Sequence, residues 1–239
     1  MTQQTSTSLA GVRLLQGLGK DALDRLEKQC RWRRYGATEQ ILDRDDDNRD
    51  VLFVVEGGVR VVNFSLSGRE VSYANIPQGG FFGELAAIDG QPRSASVVAT
   101  EKCLLATVPP QAFTSLVREH PDIAMEVMRR LARIIRICDD RIMDLSTLGA
   151  VQRVYVELMR MGKPDPAGTM ALAIYPLPAH KDIAARASTT RETVARVISQ
   201  LTQSNIVERR DKALYITDPG RLKELASRLD EGRGDELAR

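Results

Sequence analysis

Cysteine is scarce and scattered in this chain. Cys30, Cys103 and Cys138 share no CxxC spacing, which argues against a disulfide framework and against a zinc or iron–sulfur cage. Histidine is scarcer still, with only His120 and His180, so a metal or haem centre built on imidazoles has little to draw on. No apolar run approaches the roughly 18 residues of a membrane span. The polar start, Met1-Thr2-Gln3-Gln4-Thr5-Ser6-Thr7-Ser8, has no signal-peptide core. Together these absences predict a cytoplasmic protein with no membrane partner, no metal and no cofactor. Aromatics make up 5% and charged residues 28%, ordinary for a soluble, helix-rich chain, and 239 residues give room for two domains.

The net charge of +2 hides an asymmetry. Residues 1–148 carry 19 Lys/Arg against 20 Asp/Glu, whereas residues 149–228 carry 13 against 8. A mildly basic C-terminal half suits a nucleic-acid partner.

The stretch Phe82-Gly83-Glu84-Leu85-Ala86-Ala87-Ile88-Asp89-Gly90-Gln91-Pro92-Arg93-Ser94 holds the densest chemistry. It sets a turn glycine, a carboxylate, a guanidinium and a hydroxyl in what reads as one loop. A carboxylate accepts from a ribose hydroxyl, and Arg-Ser-Ala offers a fork, a hydroxyl and backbone N–H groups to a phosphate. A surface turn with an incidental Arg–Glu pair is the alternative reading of the same residues.

Around this stretch, residues 14–30 have helical spacing, with Leu15, Leu18, Leu23 and Leu26 on one face. From Thr38 to about Val108 short apolar runs alternate with turn residues, predicting a β-sandwich or barrel-like roll. Pro121 opens a long helix with His120 as its N-cap. Met128, Leu131, Ile135, Cys138, Ile142 and Leu145 follow gaps of three and four along it, the spacing of a coiled-coil seam. A parallel homodimer is the expected way to cover that seam. Residues 148–161 read as a further helix and residues 162–168 as a loop. That loop is either a plain connector or a protein-contact surface.

Residues 179–201 read as two helices joined by Ser188-Thr189-Thr190, with Thr189 and Glu192 at capping-box spacing. In the second helix Val194, Val197, Ile198 and Leu201 form an apolar stripe, which turns Arg191, Glu192, Ala195, Arg196 and Ser199 to another face. Arginine and glutamate are the side chains that read guanine and cytosine edges in a major groove. The competing reading makes Glu192 a helix cap and leaves the arginines solvated. Residues 206–210 and 213–217 look like a two-stranded wing, where Arg209, Arg210 and Lys212 are placed for phosphates, and residues 222–229 like a last short helix.

In this order, from about Leu14 to Leu225, the elements resemble the cyclic-AMP receptor protein/fumarate-nitrate regulator family of bacterial transcription factors. Two motifs carry the resemblance. Gly83-Glu84-Leu85 with Arg93-Ser94-Ala95 is similar to the phosphate-binding cassette of cyclic-nucleotide-binding members. Arg191-Glu192-Thr193-Val194-Ala195-Arg196 is similar to the family's recognition helix. The fold class implied is α+β. An N-terminal β-roll of jelly-roll type (residues 9–120) precedes a long dimerisation helix and hinge (121–148). A winged helix-turn-helix (149–228) and a mobile tail (229–239) complete the chain.

The resemblance implies a ligand site at Gly83, Glu84, Leu85, Arg93, Ser94 and Ala95. Glu84 would accept from the 2′-hydroxyl, Arg93 would pair with the cyclic phosphate, and Ser94 with the Ala95 amide would donate to its oxygens. It also implies base contacts at Cys138 and Asp139, where this chain departs from the family's Thr-Ser pair. Cys138 also reads as a small seam residue and Asp139 as a solvated flank. A carboxylate only accepts, and guanine presents N1–H and N2–H donors on one edge, so cyclic GMP joins cyclic AMP as the expected effector. A cyclic dinucleotide is a further alternative.

On the DNA side the resemblance implies double-stranded DNA with a TGTGA-type palindrome. Arg191 and Arg196 would read guanines, Glu192 a cytosine amine, and Thr190, Arg209 and Lys212 would lie at phosphates. Ser188 stands where many members have glycine. The loop at 162–168 is in the place where relatives touch RNA polymerase. No catalytic motif is present and no enzymatic activity is expected. A ligand-independent regulator and a nucleotide-binding regulatory subunit without DNA binding are the remaining alternatives.

Overall fold

The computed structural model describes residues 8–65, 70–165 and 171–227. The expected mobile tail lies outside these residues, as do parts of the turn at 65–68, the loop at 162–168 and the end of the last helix. The chain forms two compact units, Met1–Ile135 and Arg136–Arg239, dividing within one long helix.

In the first unit a 3-10 turn at Arg13–Leu15 precedes helix α1 (Lys20–Glu27). The single helix expected over residues 14–30 is therefore split. Gly19 adopts an extended conformation at the start of α1, so the leucine periodicity bridges a break. Strand β1 (Arg31–Tyr35) follows, earlier than the expected start of the β region. Its arginine-rich sequence hides an edge strand whose Tyr35 alone is fully buried.

Two four-stranded antiparallel sheets make the roll. One has the order β1, β8 (Cys103–Val108), β3 (Val51–Glu56), β6 (Phe81–Phe82). The other runs β2 (Gln40–Leu42), β7 (Ser96–Ala99), β4 (Gly58–Phe64), β5 (Glu70–Pro77). Strand alternation divides the apolar residues between two cores. Leu52, Val54 and Leu105 point between the sheets to meet Leu42, Val59, Ile76 and Val97. Val51, Phe53, Ala106 and Val108 point the other way, onto a helical layer.

That layer holds α1, α3 (Pro110–Glu119) and the start of α4 (Pro121–Thr147), through Leu26, Phe113, Leu116, Ile123 and Val127. Sequence reading missed α3, whose Pro110 occupies the first helical turn, where its missing N–H costs nothing. His120 serves both helices: its N–H donates to the Leu116 carbonyl at 3.1 Å and its own carbonyl accepts from Ala124 N–H at 3.0 Å.

The second unit contains the remainder of α4, then α5 (Ala150–Met161), α6 (His180–Arg186), α7 (Arg191–Gln203) and α8 (Pro219–Ser227). Its sheet has the order β11 (Val207–Arg210), β12 (Ala213–Ile216), β10 (Leu172–Ile174), β9 (Lys163–Pro164). The expected two-stranded wing is thus half of a four-stranded sheet, and the expected loop after α5 opens with a strand. Val154, Leu158, Ile183, Val194, Val197, Leu201, Leu214 and Leu222 build one core beneath it.

Phe53 is completely buried between sheet and helices and packs against Phe81 at 6.3 Å between ring centroids. Phe53→Ala is expected to lower the stability of the first unit by about 3–5 kcal/mol, read as a shift of its urea midpoint.

Candidate functional site

Strand β6 ends at Gly83, which turns with φ +86° and starts helix α2 (Glu84–Asp89). What read as a loop is a short helix between two left-handed glycines, Gly83 and Gly90. The left-handed turn has a packing reason. A Cβ on Gly83 would lie 2.6 Å from Arg93 Nη1 and 2.8 Å from the Asp50 carbonyl oxygen, so no other residue fits.

Arg93 is 3% exposed. Its Nη1 donates to the Gly83 carbonyl at 3.0 Å, and its Nη2 donates to the Asp50 carbonyl at 2.6 Å and to Asn48 Oδ1 at 2.7 Å. Nε has no partner among the described residues. Burial pushes this guanidinium below its ordinary pKa, while Asp50, Asp46 and Glu84 pull it back up. Around it folds the acidic run Asp43-Arg44-Asp45-Asp46-Asp47-Asn48-Arg49-Asp50, stitched to the arginine by two backbone bonds. Asp45 N–H donates to the Arg93 carbonyl and Arg93 N–H to the Asp46 carbonyl, both at 3.0 Å. Sequence reading passed over this run, although five carboxylates in eight residues are a legible charge pattern, and two of them, Asp46 and Asp50, act on the buried cation.

Glu84 is 4% exposed, and Oε1 accepts from Arg130 Nε at 3.1 Å. Arg130 comes from α4, donates to the Phe81 carbonyl at 2.8 Å and lies 4.4 Å from the centre of the Phe81 ring. It too was missed; nothing local in the sequence marks it among the other arginines of α4. Leu85 and Ser94 are exposed, Ala95 is buried, and the Ser94 carbonyl accepts from Asn63 Nδ2 at 3.3 Å. Gly83, Glu84, Arg93, Ser94 and Ala95 thus gather at the junction of β6, α2 and β7. Cys138 and Asp139 are exposed on the part of α4 that belongs to the second unit.

In the second unit α6 and α7 meet through a turn at Ser188, whose φ of +49° is the left-handed conformation that glycine adopts more cheaply. Arg153 of α5 holds that turn. Its guanidinium donates to the carbonyls of Ala187 at 2.9 Å, Ser188 at 3.1 Å and Leu148 at 2.7 Å. The residue capping α7 is Thr190, not Thr189 as the capping-box spacing suggested. Thr190 Oγ1 accepts from Thr193 N–H at 3.2 Å, while Thr189 is buried.

Arg191, Glu192 and Arg196 are all exposed at the open side of α7. Hydrogen bonds from its own backbone N–H and from Thr190 hold Glu192 below the usual carboxylate range. It is therefore an ionised acceptor at neutral pH. In the wing Arg210 is committed to Glu208 and lies over the Tyr215 ring, leaving Arg209 and Lys212 exposed beside it. Among the described residues no three His, Cys, Asp or Glu side chains gather as a metal ion needs, and no helix is long and apolar enough to cross a membrane.

Two family models match the chain in series. A cyclic nucleotide-binding domain covers residues 32–120 and a Crp-like helix-turn-helix domain covers residues 152–225. The cyclic AMP receptor protein of Thermus thermophilus is 28% identical over 91% of this chain and 98% of its own length. The cAMP-activated global transcriptional regulator CRP of Salmonella typhimurium is 25% identical over 78% of this chain and 90% of its own. A CooA mutant from Carboxydothermus hydrogenoformans has the same fold, with a TM-score of 0.72 at 22% identity, covering 84% of this chain and 89% of that one.

Arg130→Ala would leave the buried Glu84 carboxylate without its cation. A loss of about 3 kcal/mol in the first unit is expected from urea unfolding, partly restored in Arg130→Lys.

Proposed function

The chain belongs to the cyclic-AMP receptor protein/fumarate-nitrate regulator family of non-enzymatic, DNA-binding transcription regulators, and on that premise we propose a homodimeric regulator switched by a cyclic nucleotide. The observation that carries the effector reading is the Arg93 guanidinium. It is buried in a cyclic nucleotide-binding domain with one donor, Nε, unmatched among the described residues. A buried unmatched donor costs about 1–3 kcal/mol, and a phosphate oxygen would supply the acceptor. Ser94 and the Ala95 amide stand next to it for the remaining phosphate oxygens, and Glu84 for a ribose hydroxyl. Cyclic AMP is the first candidate, since relatives are named for it. Cyclic GMP stands beside it because Asp139, an acceptor-only side chain, complements the N–H edge of guanine.

The dimer reading rests on α4. Met128, Ile135, Ile142 and Leu145 are each more than half exposed, and together with Leu131 and Cys138 they keep heptad spacing. A second copy in parallel register covers this stripe and brings Cys138 opposite its own copy. The DNA reading rests on α7. Arg191 and Arg196 would pair with guanines and Glu192 with a cytosine amine in each TGTGA half-site, with Thr190, Arg209 and Lys212 on phosphates. The loop at 162–168 is proposed as the surface offered to RNA polymerase.

Three outcomes test this reading. Titration calorimetry with cyclic AMP and cyclic GMP should show binding that Arg93→Gln abolishes. Binding of a cyclic dinucleotide alone would replace the effector. Electrophoretic shift of a TGTGA palindrome should depend on nucleotide, and Arg196→Ala should cost ~1–3 kcal/mol at its own base pair; equal weakening on every sequence would reduce it to a phosphate contact.

Diamide oxidation should yield a disulfide-linked dimer that is absent in Cys138→Ser. Burial and Glu27 push Cys30 up to about 12, and burial raises Cys103, so those thiols stay protonated and slow to react. A dimer in solution that resists this cross-link would overturn the parallel seam.

A further inference from the structure

Among the described residues, a second buried side-chain atom near the cassette lacks a partner: Asn63 Oδ1. Asn63 interrupts the apolar strand β4, Gly58-Val59-Arg60-Val61-Val62-Asn63-Phe64, and is 7% exposed. Its amide nitrogen is fully used. Nδ2 donates to the Ser94 carbonyl at 3.3 Å and to the Tyr73 hydroxyl at 3.1 Å. These two bonds fix which end of the carboxamide is which, since the Ser94 carbonyl takes only a donor. The oxygen is left over.

Tyr73 is placed there by a defect in the sheet. The β4–β5 pairing runs Val61 to Ala74 and then Val62 to Ser72, so Tyr73 is the extra residue of a β-bulge. Bulges re-aim a side chain at the cost of a ladder position, and they recur beside binding sites. Here the bulge turns a tyrosine onto an asparagine. Because its oxygen accepts from Asn63, the Tyr73 hydroxyl keeps its own proton for another acceptor.

Arg93 Nε and Asn63 Oδ1 therefore flank Ser94, one a donor wanting an anion and the other an acceptor wanting an N–H. A leucine or valine at position 63 would pack in this strand and leave no buried side-chain oxygen unmatched. An asparagine with a stranded oxygen is explained by a ligand that completes it.

We propose that Asn63, steadied by Tyr73, is a specificity-determining residue that accepts an N–H from the base of the bound effector, with the Tyr73 hydroxyl donating to a neighbouring base acceptor. This rests on the cyclic-nucleotide reading of the cassette. It adds a base reader on the β-roll itself, separate from Cys138 and Asp139. The ligand it selects is a purine that carries an N–H beside a ring or exocyclic acceptor, over one whose base has no N–H.

The test compares the full-length protein's affinity for cyclic AMP, cyclic GMP and purine riboside 3′,5′-cyclic monophosphate, whose base has no N–H. The wild type should bind cyclic AMP or cyclic GMP at least about tenfold more tightly than the purine analogue, the factor one such hydrogen bond supports. In Asn63→Val that ratio should fall to near one while the analogue binds undiminished. Tyr73→Phe should lower the ratio by loosening Asn63.

Equal affinity of the wild type for all three nucleotides overturns the assignment without touching the cassette, and needs no variant that folds. Equal weakening of all three in Asn63→Val marks a structural asparagine and overturns it too. If no cyclic mononucleotide binds the wild type, the effector reading falls and the assignment with it.

Discussion

A guanidinium keeps its proton at any pH the cell meets, so burying one obliges the chain to bring oxygen atoms to it. Arg93 is that group, and the cassette is built around its needs. Two of the oxygens are main-chain carbonyls, Gly83 and Asp50, which are dipoles rather than charges. Using them demands that two backbone segments come within hydrogen-bond reach of one side chain. Gly83 is left-handed and lacks a Cβ for this reason. The acidic loop closes over Arg93 with reciprocal backbone bonds for the same reason. The carboxylates of Asp46 and Asp50 add attraction without taking up Nε. The result is a cation desolvated, oriented and still short of one acceptor, which is what selective recognition of an anion requires.

Much of this was legible as residue types and little of it as partners. The Gly-Glu and Arg-Ser-Ala steps, the heptad in α4 and the apolar stripe of α7 are spaced by local rules of turn and helix, and they emerge at the expected positions. Arg130, Asn48 and Asp50 are set by packing between segments far apart in the chain, and no local pattern separates Arg130 from the other arginines on its helix. The missed elements have the same origin. Strand β1 is an edge strand whose arginines face outward, so its composition reads as polar. Helix α3 begins at a double proline, Pro109-Pro110, that also reads as a loop. Residues 14–30 fail in the opposite sense: leucines at helical intervals mark burial on one layer, and the glycines between them break the helix.

The second unit repeats the device of an arginine serving carbonyls. Arg153 binds the main chain at Leu148, just after α4, and at Ala187 and Ser188, the turn between α6 and α7. The end of the long helix and the entry to α7 thus share one side chain. Ser188 holds a left-handed conformation at that turn. Two carbonyl contacts from Arg153 help maintain it where glycine would need no help. Half-buried Arg186 pairs with buried Glu157 at 3.3 Å and ties α5 to α6. Arg153 and the Glu157–Arg186 pair therefore tie α5 both to α6 and to the turn that starts α7, the helix carrying Arg191 and Arg196.

Helix α4 then carries three tasks. Its first turns cover the β-roll with Ile123 and Val127, Arg130 neutralises Glu84, and the exposed stripe runs on from Met128 to Leu145. An effector that takes a hydrogen bond from Glu84 acts on a carboxylate already held by α4, so its binding free energy depends on where that helix lies. A ligand shifts an equilibrium only by the difference in its affinity for the two states. On the proposed reading the Glu84–Arg130 pair is a place where such a difference can arise, because the same carboxylate would answer to the ribose and to the helix. Linkage makes the effect reciprocal. On the proposed cyclic-nucleotide reading, whatever fixes the Arg130 segment of α4 would alter nucleotide affinity by the same factor that nucleotide alters it.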